Sequence, residues 1–578
     1  MLRRIVLRDR EGFLEYREPL ETLAAQAPSE VLPVLERAEQ RVQVEGLHAA
    51  GYVTYEASPA FDRAFVTRPR GRLPLACLGL FREPRALPEL PAAGASPRAE
   101  WRMSIGRDAY VAKINAIRAQ IAAGNTYQVN YTVRQLADGL SDPWQLFLAV
   151  ATDAPYAAYV ECADHAIVSA SPELFFERAG DSLVCRPMKG TAPRGLRLAE
   201  DRALGERLRR SPKDRAENVM IADMLRNDLG RVAEPGTVRA TALCEIEKYR
   251  TVWQLTSTVR AQSRAPLAEV FRALFPCASV TGAPKIASMR LIAELEDAPR
   301  EIYTGAIGWI APGERARFSV AIRTAWIDRV TQTAVYGVGG GIVWDSDADA
   351  EYRECLDKAR ILVAGARPRP FELLETLLWS RAGTWFLLDA HLARLADSAE
   401  YFGFSFDRAR ITAALAALAA RLPAEARRVR LLLSRDGAVQ LAAGTIEPAA
   451  PRRVRLAAAP VNRDDPFLYH KTTVRDVYEA ARADAGDCDD VLLWNAEGEL
   501  TESTIANLVV RLDGRLVTPP VECGLLPGTL RATLLEEGRI HERRIRTPEL
   551  RDADEIWLIN SVRGWMRCHL LRDRDAEP

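Results

Sequence analysis

The heptapeptide Ala364-Gly365-Ala366-Arg367-Pro368-Arg369-Pro370 follows a helical pattern that ends near Val363, and the chain beyond it is built on a different rhythm. Two prolines within three residues remove backbone donors and push their predecessors into extended conformations, so no helix or paired strand runs through. Phe371-Glu372-Leu373-Leu374-Glu375-Thr376-Leu377 then opens a fresh alternation of strands and helices. A chain of 578 residues already exceeds what one hydrophobic core serves. The break is therefore the main domain boundary: residues 1–98 and 99–363 precede it, 364–370 form a linker, and 371–578 follow. A second Pro-rich stretch, Glu83-Pro84 through Pro97-Arg98, reads as a linker or long surface loop. The Ala-rich stretch 411–427 reads as one amphipathic helix.

Charge and cysteine usage narrow the function. Lys plus Arg and Asp plus Glu balance at 78 each, which leaves no electrostatic footprint for nucleic acid and makes small ligands the expected partners. The nine cysteines form no CxxC pair, so neither a disulfide framework nor a zinc site is expected, which suits a reducing cytoplasm. The start, MLRRIVLRDREG, continues into charges rather than an apolar core, so no secretory signal is expected. No apolar run approaches the ~20 residues that span a bilayer, and no membrane partner follows.

Four blocks in the first half carry chemistry. Gly124-Asn125-Thr126-Tyr127-Gln128-Val129-Asn130 takes a helix end into a strand. Ser171-Pro172-Glu173 precedes Arg186-Pro187-Met188-Lys189-Gly190-Thr191, on what read as neighbouring strands, so Glu173 and Lys189 could face one site as acid/base and nucleophile. A free lysine has a pKa near ~10.4 and is well under ~0.1% neutral amine at pH 7, so that role demands burial or nearby positive charge. Asp214 and Glu217, and again Glu351 and Glu354, are three apart on helical patterns and share a face. Two such pairs facing each other would make an oxygen-only site, suited to magnesium rather than zinc. The last block, Ser279-Val280-Thr281-Gly282-Ala283-Pro284-Lys285, opens a helix whose amides favour a carboxylate; Tyr303, Arg323, Gly339-Gly340-Gly341 and Lys358 follow. The implied substrate is small and carries more than one carboxylate.

In order, the motifs QVN, SPE, PMKGT, Arg226-Asn227-Asp228-Leu229-Gly230, TGAPK and GGGIV with its glutamates resemble the chorismate-utilising family over residues 100–363. That family includes anthranilate, isochorismate, salicylate and aminodeoxychorismate synthases. The resemblance implies a large β-sandwich-like core with flanking helices. It implies that Glu217 and Glu354 bind Mg2+, that Glu173 is the general acid/base, and that Tyr303, Arg323 and Lys358 position chorismate. Thr191, Thr281, Gly282, Gly339, Gly340 and Gly341 complete the substrate set. Anthranilate synthases resemble P-I-A-G-T where this chain has Pro187-Met188-Lys189-Gly190-Thr191; the lysine is the aminodeoxychorismate synthase form, attacking C2 of the ring before ammonia adds at C4. One departure is Gln254, where many relatives have histidine.

The second half suits a pyridoxal phosphate site, which needs a Schiff-base lysine, an acid at the pyridine nitrogen and phosphate donors. Lys471 lies in Tyr469-His470-Lys471-Thr472-Thr473, Glu502 follows, and Leu526-Pro527-Gly528-Thr529-Leu530-Arg531 is a glycine-led helix start. With Arg394 in His391-Leu392-Ala393-Arg394-Leu395, Asn507, and Ser561 in Asn560-Ser561-Val562-Arg563-Gly564, this half resembles the fold-type IV pyridoxal phosphate family. The resemblance implies that Lys471 carries the cofactor and shuttles the proton, that Glu502 holds the pyridine nitrogen beside Asn507, and that Arg394, Thr529, Leu530 (through its backbone) and Ser561 surround the phosphate. Thr376 is a candidate for assisting. It also implies a homodimer through this domain, although about twenty-five residues found at the start of relatives are replaced by the linker.

Together the two resemblances imply an α+β and α/β multidomain enzyme that turns chorismate and ammonia into 4-aminobenzoate and pyruvate for folate. No cysteine lies in a Gly-x-Cys-x-Gly elbow, so ammonia is expected from a separate glutamine amidotransferase subunit or from solution. The alternative is an anthranilate- or salicylate-type synthase fused to a D-amino-acid or branched-chain aminotransferase.

Overall fold

The computed structural model describes all residues except 92–93, 95–98, 152–153, 251, 364–370, 447–451, 484–485 and 572–578. The proposed linker 364–370 therefore lies outside the described residues. The chain divides into two compact units, one of residues 1–193 and 205–367, the other of 194–204 and 368–578.

The first unit holds two ten-stranded sheets. One runs Gly282–Ala283, Gln128–Ala137, Ala334–Ile342, Thr324–Asp328, His165–Ser171, Tyr156–Cys162, Leu2–Asp9, Gly12–Arg17 and Arg85–Leu87, with Arg102–Met103 beside Gln128–Ala137. The other runs Met188–Pro193, Val252–Gln262, Ser182–Arg186, Leu174–Ala179, Arg315–Val320, Ala306–Ala311, His48–Val53, Ala76–Phe81 and Glu21–Ala25, with Arg239–Lys248 beside Val252–Gln262. Successive strand side chains point to opposite faces, and here both faces are dry. Ile5 and Leu7 meet Tyr52, Phe81 and Ile307 of the other sheet, whereas Val6 between them joins a core under helices. The sheets thus form a sandwich with a helix layer outside each. Helices Pro28–Glu45, Pro212–Gly230 and Leu267–Leu274 cover the second sheet. Helices Arg107–Ala122, Pro143–Val150 and Lys285–Leu295 cover the first, with Cys355 and Tyr352 of Ala348–Val363.

Glu173 and Lys189 are not on paired strands. Leu174 faces Arg186, the chain turns at Pro187, and Lys189 lies in the next strand, which pairs with Val252–Gln262 instead. A bend rather than a ladder therefore brings the two together.

In the second unit a four-stranded sheet centred on Leu373–Trp379 and Arg427–Leu433 carries helices Leu388–Phe402 and Arg408–Ala419. The expected helix 411–427 is shorter than its alanine content suggests, because Leu422 precedes Pro423 and must leave the helical region; strand Arg427–Leu433 begins soon after. An eight-stranded mixed sheet, with strand Arg452–Leu456 parallel to both neighbours, forms the rest. Segment 194–204 belongs to this unit through buried polar contacts. Arg194 and Asp201 form a two-bond ion pair of 2.6 and 2.7 Å, the Tyr401 hydroxyl donates to Gly195 O at 2.8 Å, and the Arg194 guanidinium lies over the Tyr401 ring. Among the described residues no helix is long and apolar enough to cross a membrane.

Phe271 is the hub of one core: its ring is 5.0 Å from Phe318, 5.4 Å from Phe176 and 5.8 Å from Phe175. Phe271→Ala should cost about 3–5 kcal/mol. Thermal denaturation should show the first unit's transition lowered, and an unchanged transition would mean the cluster adds nothing.

Candidate active sites

The glycine strand Ala334–Ile342 positions the first site. Its even residues Tyr336, Val338 and Ile342 sit in the helix-side core, so the odd ones face the sandwich interior. A Cβ on Gly341 would stand 2.4 Å from Gln128 Nε2 and 2.5 Å from Lys189 Nζ, and one on Gly340 would stand 3.0 Å from Glu351 Oε2 and 3.8 Å from Lys358 Nζ. A side chain at Gly341 would occupy the space of the Lys189 amine, and one at Gly340 would crowd Glu351. Gly339 contributes its carbonyl, which accepts from Lys358 Nζ at 2.7 Å. Gly337 gives way to the Tyr303 ring, 2.1 Å from where its Cβ would be.

Lys189 lies among charges from three elements. Burial pulls its pKa below the usual lysine value; Glu217 works against this, Lys358 adds to it, and Glu173 and Glu354 oppose it more weakly. Burial raises Glu173 to about 7, against a hydrogen bond from Ser279, one from the Met188 backbone and the charge of Lys189. Asn218, on the same helix as Glu217, donates to the Lys189 carbonyl at 3.1 Å and so fixes the strand that carries the amine. Gly190 makes this approach possible: it has φ +91°, and a Cβ there would meet Asp214 at 3.0 Å. Burial raises the pKa of Glu217, with Lys189 opposing. For Glu354 burial also works upward, but Lys358 at 2.7 Å holds it below the usual carboxylate value.

Other expected residues have more local roles. Thr191 donates to Gln254 Oε1 at 3.0 Å. The Thr281 hydroxyl is fully buried and turned onto the Cys277 and Ala278 carbonyls, so it shapes its turn. A Cβ on Gly282 would collide with Gln128 O at 2.2 Å. Arg323 is half-buried, and loss of solvent around its guanidinium lowers its pKa. Lys285 of the helix start pairs with Asp228 at 2.8 Å. A cavity of about 20 Å³ beside Tyr303 is lined by Glu296 and Arg300 rather than Lys189. Gln128 leads the QVN motif. Both its amide atoms and Glu173 Oε1 are buried without a hydrogen-bond partner, a costly state that a ligand at Lys189 would relieve.

Could these residues hold a hard divalent ion? Among the described residues no three His, Cys, Asp or Glu groups converge as a ready cage. Glu217 and Glu354 both act on Lys189 and offer oxygen only. That set fits an ion held by two carboxylates with its shell completed by water and substrate, as magnesium accepts.

In the second unit Lys471 is locked by its backbone: Leu374 N donates to its carbonyl at 2.9 Å, and Thr473 N donates to Glu372 O at 2.9 Å. Burial lowers the Lys471 pKa to about 8, helped by Arg394 and opposed by Glu375. Burial raises Glu502 to about 7. Its carboxylate accepts from the Tyr478 hydroxyl at 2.9 Å, Leu526 N at 3.1 Å and Asn507 Nδ2 at 3.2 Å, so Asn507 orients Glu502. Arg394 grips Glu375 with Nε at 2.8 Å and Nη2 at 2.7 Å. Ser561 Oγ and Thr529 Oγ1 converge on His391 Nε2 at 2.9 and 3.2 Å. Leu530 lies in the first turn of helix Thr529–Glu536, where amides have no intrahelical partner. Thr376, next to Glu375, is half-buried. A lowered amine, a buried acid and convergent hydroxyls around a helix start fit pyridoxal phosphate. Glu375, His391 and Tyr478 are the residues that motif reading passed over.

Because burial disfavours the ammonium form of Lys471, its amine becomes available at lower pH than an ordinary lysine's. Labelling with trinitrobenzenesulfonate, followed by peptide mass spectrometry, should show half-maximal rate for Lys471 near pH 8. Exposed lysines should lag toward ~10.4.

A model of the chorismate binding enzymes matches residues 4–364, and one of class IV amino-transferases matches residues 372–571. The aminodeoxychorismate synthase component 1 of Klebsiella aerogenes is 42% identical over 269 residues, which is 45% of this chain and 59% of that protein. The aminodeoxychorismate synthase of Streptomyces griseus is 42% identical over 289 residues, 49% of this chain and 39% of its own length. The chain thus spans little more than half, or less, of these relatives. The crystal structure of anthranilate synthase component I from Streptococcus pneumoniae TIGR4 shares the fold, with a TM-score of 0.53 at 23% identity over 62% of this chain and 92% of that one.

Proposed function

From the premise that this chain belongs to the chorismate binding enzyme family, we propose that it makes 4-aminobenzoate in two steps for folate synthesis. The first unit aminates chorismate to 4-amino-4-deoxychorismate, and the second eliminates pyruvate from that product. The observation that carries the reading is Lys189: a half-buried lysine whose pKa is depressed by loss of solvent, near a glutamate raised to about 7. The Klebsiella relative's name points the same way.

In the first step Lys189 Nζ forms a bond to C2 of the ring while the C4 hydroxyl leaves as water, taking a proton from Glu173. Ammonia then bonds to C4 as the C2–N bond breaks and returns its electron pair to Lys189. Glu217 and Glu354 would hold a magnesium ion, which neutralises a substrate carboxylate. Lys358, Arg323 and Tyr303 orient the ring. A glutamine amidotransferase subunit supplies the ammonia.

The class IV match supports pyridoxal phosphate in the second unit, where it supplies an electron sink. Glu502 would meet the pyridine nitrogen, Arg394, Thr529, Leu530 N and Ser561 would hold the phosphate, and Lys471 would move the proton. The nine cysteines are free thiols, in keeping with a reducing cytoplasm.

Purified protein given chorismate, magnesium and ammonium should release 4-aminobenzoate and pyruvate, read by mass spectrometry. Anthranilate or salicylate instead would overturn the first step, and faster amino transfer from D-alanine or a branched-chain amino acid to 2-oxoglutarate would overturn the second. Lys189→Ala should abolish amination while added aminodeoxychorismate is still consumed; Lys471→Ala should stop the sequence at aminodeoxychorismate. Glu173→Gln should lower amination about 10²–10⁴-fold and remove the fall in rate as pH rises through about 7, since the wild-type acid is deprotonated there.

A further inference from the structure

His391, on helix Leu388–Phe402, is 1% exposed and lies at the centre of a polar knot. Its Nδ1 is 2.7 Å from Glu375 Oε2, and its Nε2 is 2.9 Å from Ser561 Oγ and 3.2 Å from Thr529 Oγ1. The groups that face it are Glu375 from strand Leu373–Trp379, Arg394 from its own helix with Nη2 3.5 Å from Nδ1, Thr529 from helix Thr529–Glu536, and Ser561 just after strand Glu555–Asn560. Lys471 lies within electrostatic reach of Arg394 and Glu375.

Proton counting limits what this knot can do. Glu375 is held ionised, to about 2: burial works upward, but Arg394 and His391 outweigh it. An ionised carboxylate only accepts, so Nδ1 carries a hydrogen. When Nδ1 alone carries a hydrogen, Nε2 accepts a hydrogen bond from the Ser561 or Thr529 hydroxyl. With a phosphate monoester dianion in the cradle, both hydroxyl protons are needed by its oxygens. Nε2 would then confront two hydroxyl lone pairs, unless it gains a proton and donates to them.

We infer that His391 is a proton-coupled positioning residue, which takes one proton from solvent onto Nε2 when a phosphate monoester enters, turning Ser561 and Thr529 from donors to histidine into donors to phosphate. One N–H bond forms, no bond to carbon breaks and nothing is oxidised. The inference rests on the reading that this unit holds a pyridoxal-type phosphate, and it concerns binding alone.

The probe is 4′-deoxypyridoxine 5′-phosphate, which has no aldehyde and so makes no covalent link to Lys471. Calorimetric titration of the cofactor-free full chain at about pH 8, where an ordinary imidazole is neutral, in Tris and in HEPES, gives proton uptake from the difference in apparent enthalpy. Wild type should take up about one proton more than His391→Asn, with the bound ³¹P signal remaining that of a dianion. Equal uptake in the two, or none in wild type despite tight binding, overturns the inference. If His391→Asn fails to fold by circular dichroism, His391→Gln takes its place in the comparison. Failure of wild type to bind either this probe or pyridoxal phosphate would instead overturn the cofactor reading.

Discussion

Taking a lysine ammonium out of water costs several kcal/mol unless a carboxylate accompanies it or the proton leaves. Both units meet that cost by the same route. Lys189 sits with Glu217, Glu173 and Glu354 near enough to act on its charge, and Lys471 with Glu375 and Glu502. In neither case do the carboxylates fully restore the ordinary pKa, because burial works against them and Lys358 in one unit and Arg394 in the other add positive charge beside the amine. The balance leaves two half-buried amines, each held in place and each giving up its proton more readily than an ordinary lysine. The surrounding structure exists to hold that balance in place: a glycine strand that lets Lys189 approach, and a backbone clamp that fixes Lys471.

The burial pattern explains why so much of the first unit is apolar in sequence. A strand covered on one face alternates, whereas the strands here read as continuous runs because a second sheet lies on one side and helices on the other. Polar residues in such strands then mark where the sandwich opens to chemistry: Gln128, Asn130 and Thr132 all face inward from a strand whose Val129, Tyr131 and Val133 enter the helix-side core.

The positions that the structure brings to the two candidate sites are legible where a motif holds them: Lys189, Glu173, Lys471, Glu502 and the glycines 339–341. The helical pairs containing Glu217 and Glu354 followed from a spacing of three. What was not legible depends on bends and on partners distant in sequence. The turn at Pro187 replaces the strand pairing that local alternation suggested. His391 reads as an ordinary member of a helix until Glu375, Thr529 and Ser561, from three other places in the chain, are brought around it. The alanine stretch after 411 had helix propensity throughout, and one proline settled where the helix ends.

Segment 194–204 gives the chain a topology that its sequence order conceals. The second unit is discontinuous: one of its pieces is encoded between the strand that bears Lys189 and the helix that bears Glu217. Cutting the polypeptide at the proline-rich heptapeptide would therefore not separate two self-contained parts, since the downstream fragment would lose the carbonyl that accepts from Tyr401 and the guanidinium that covers its ring.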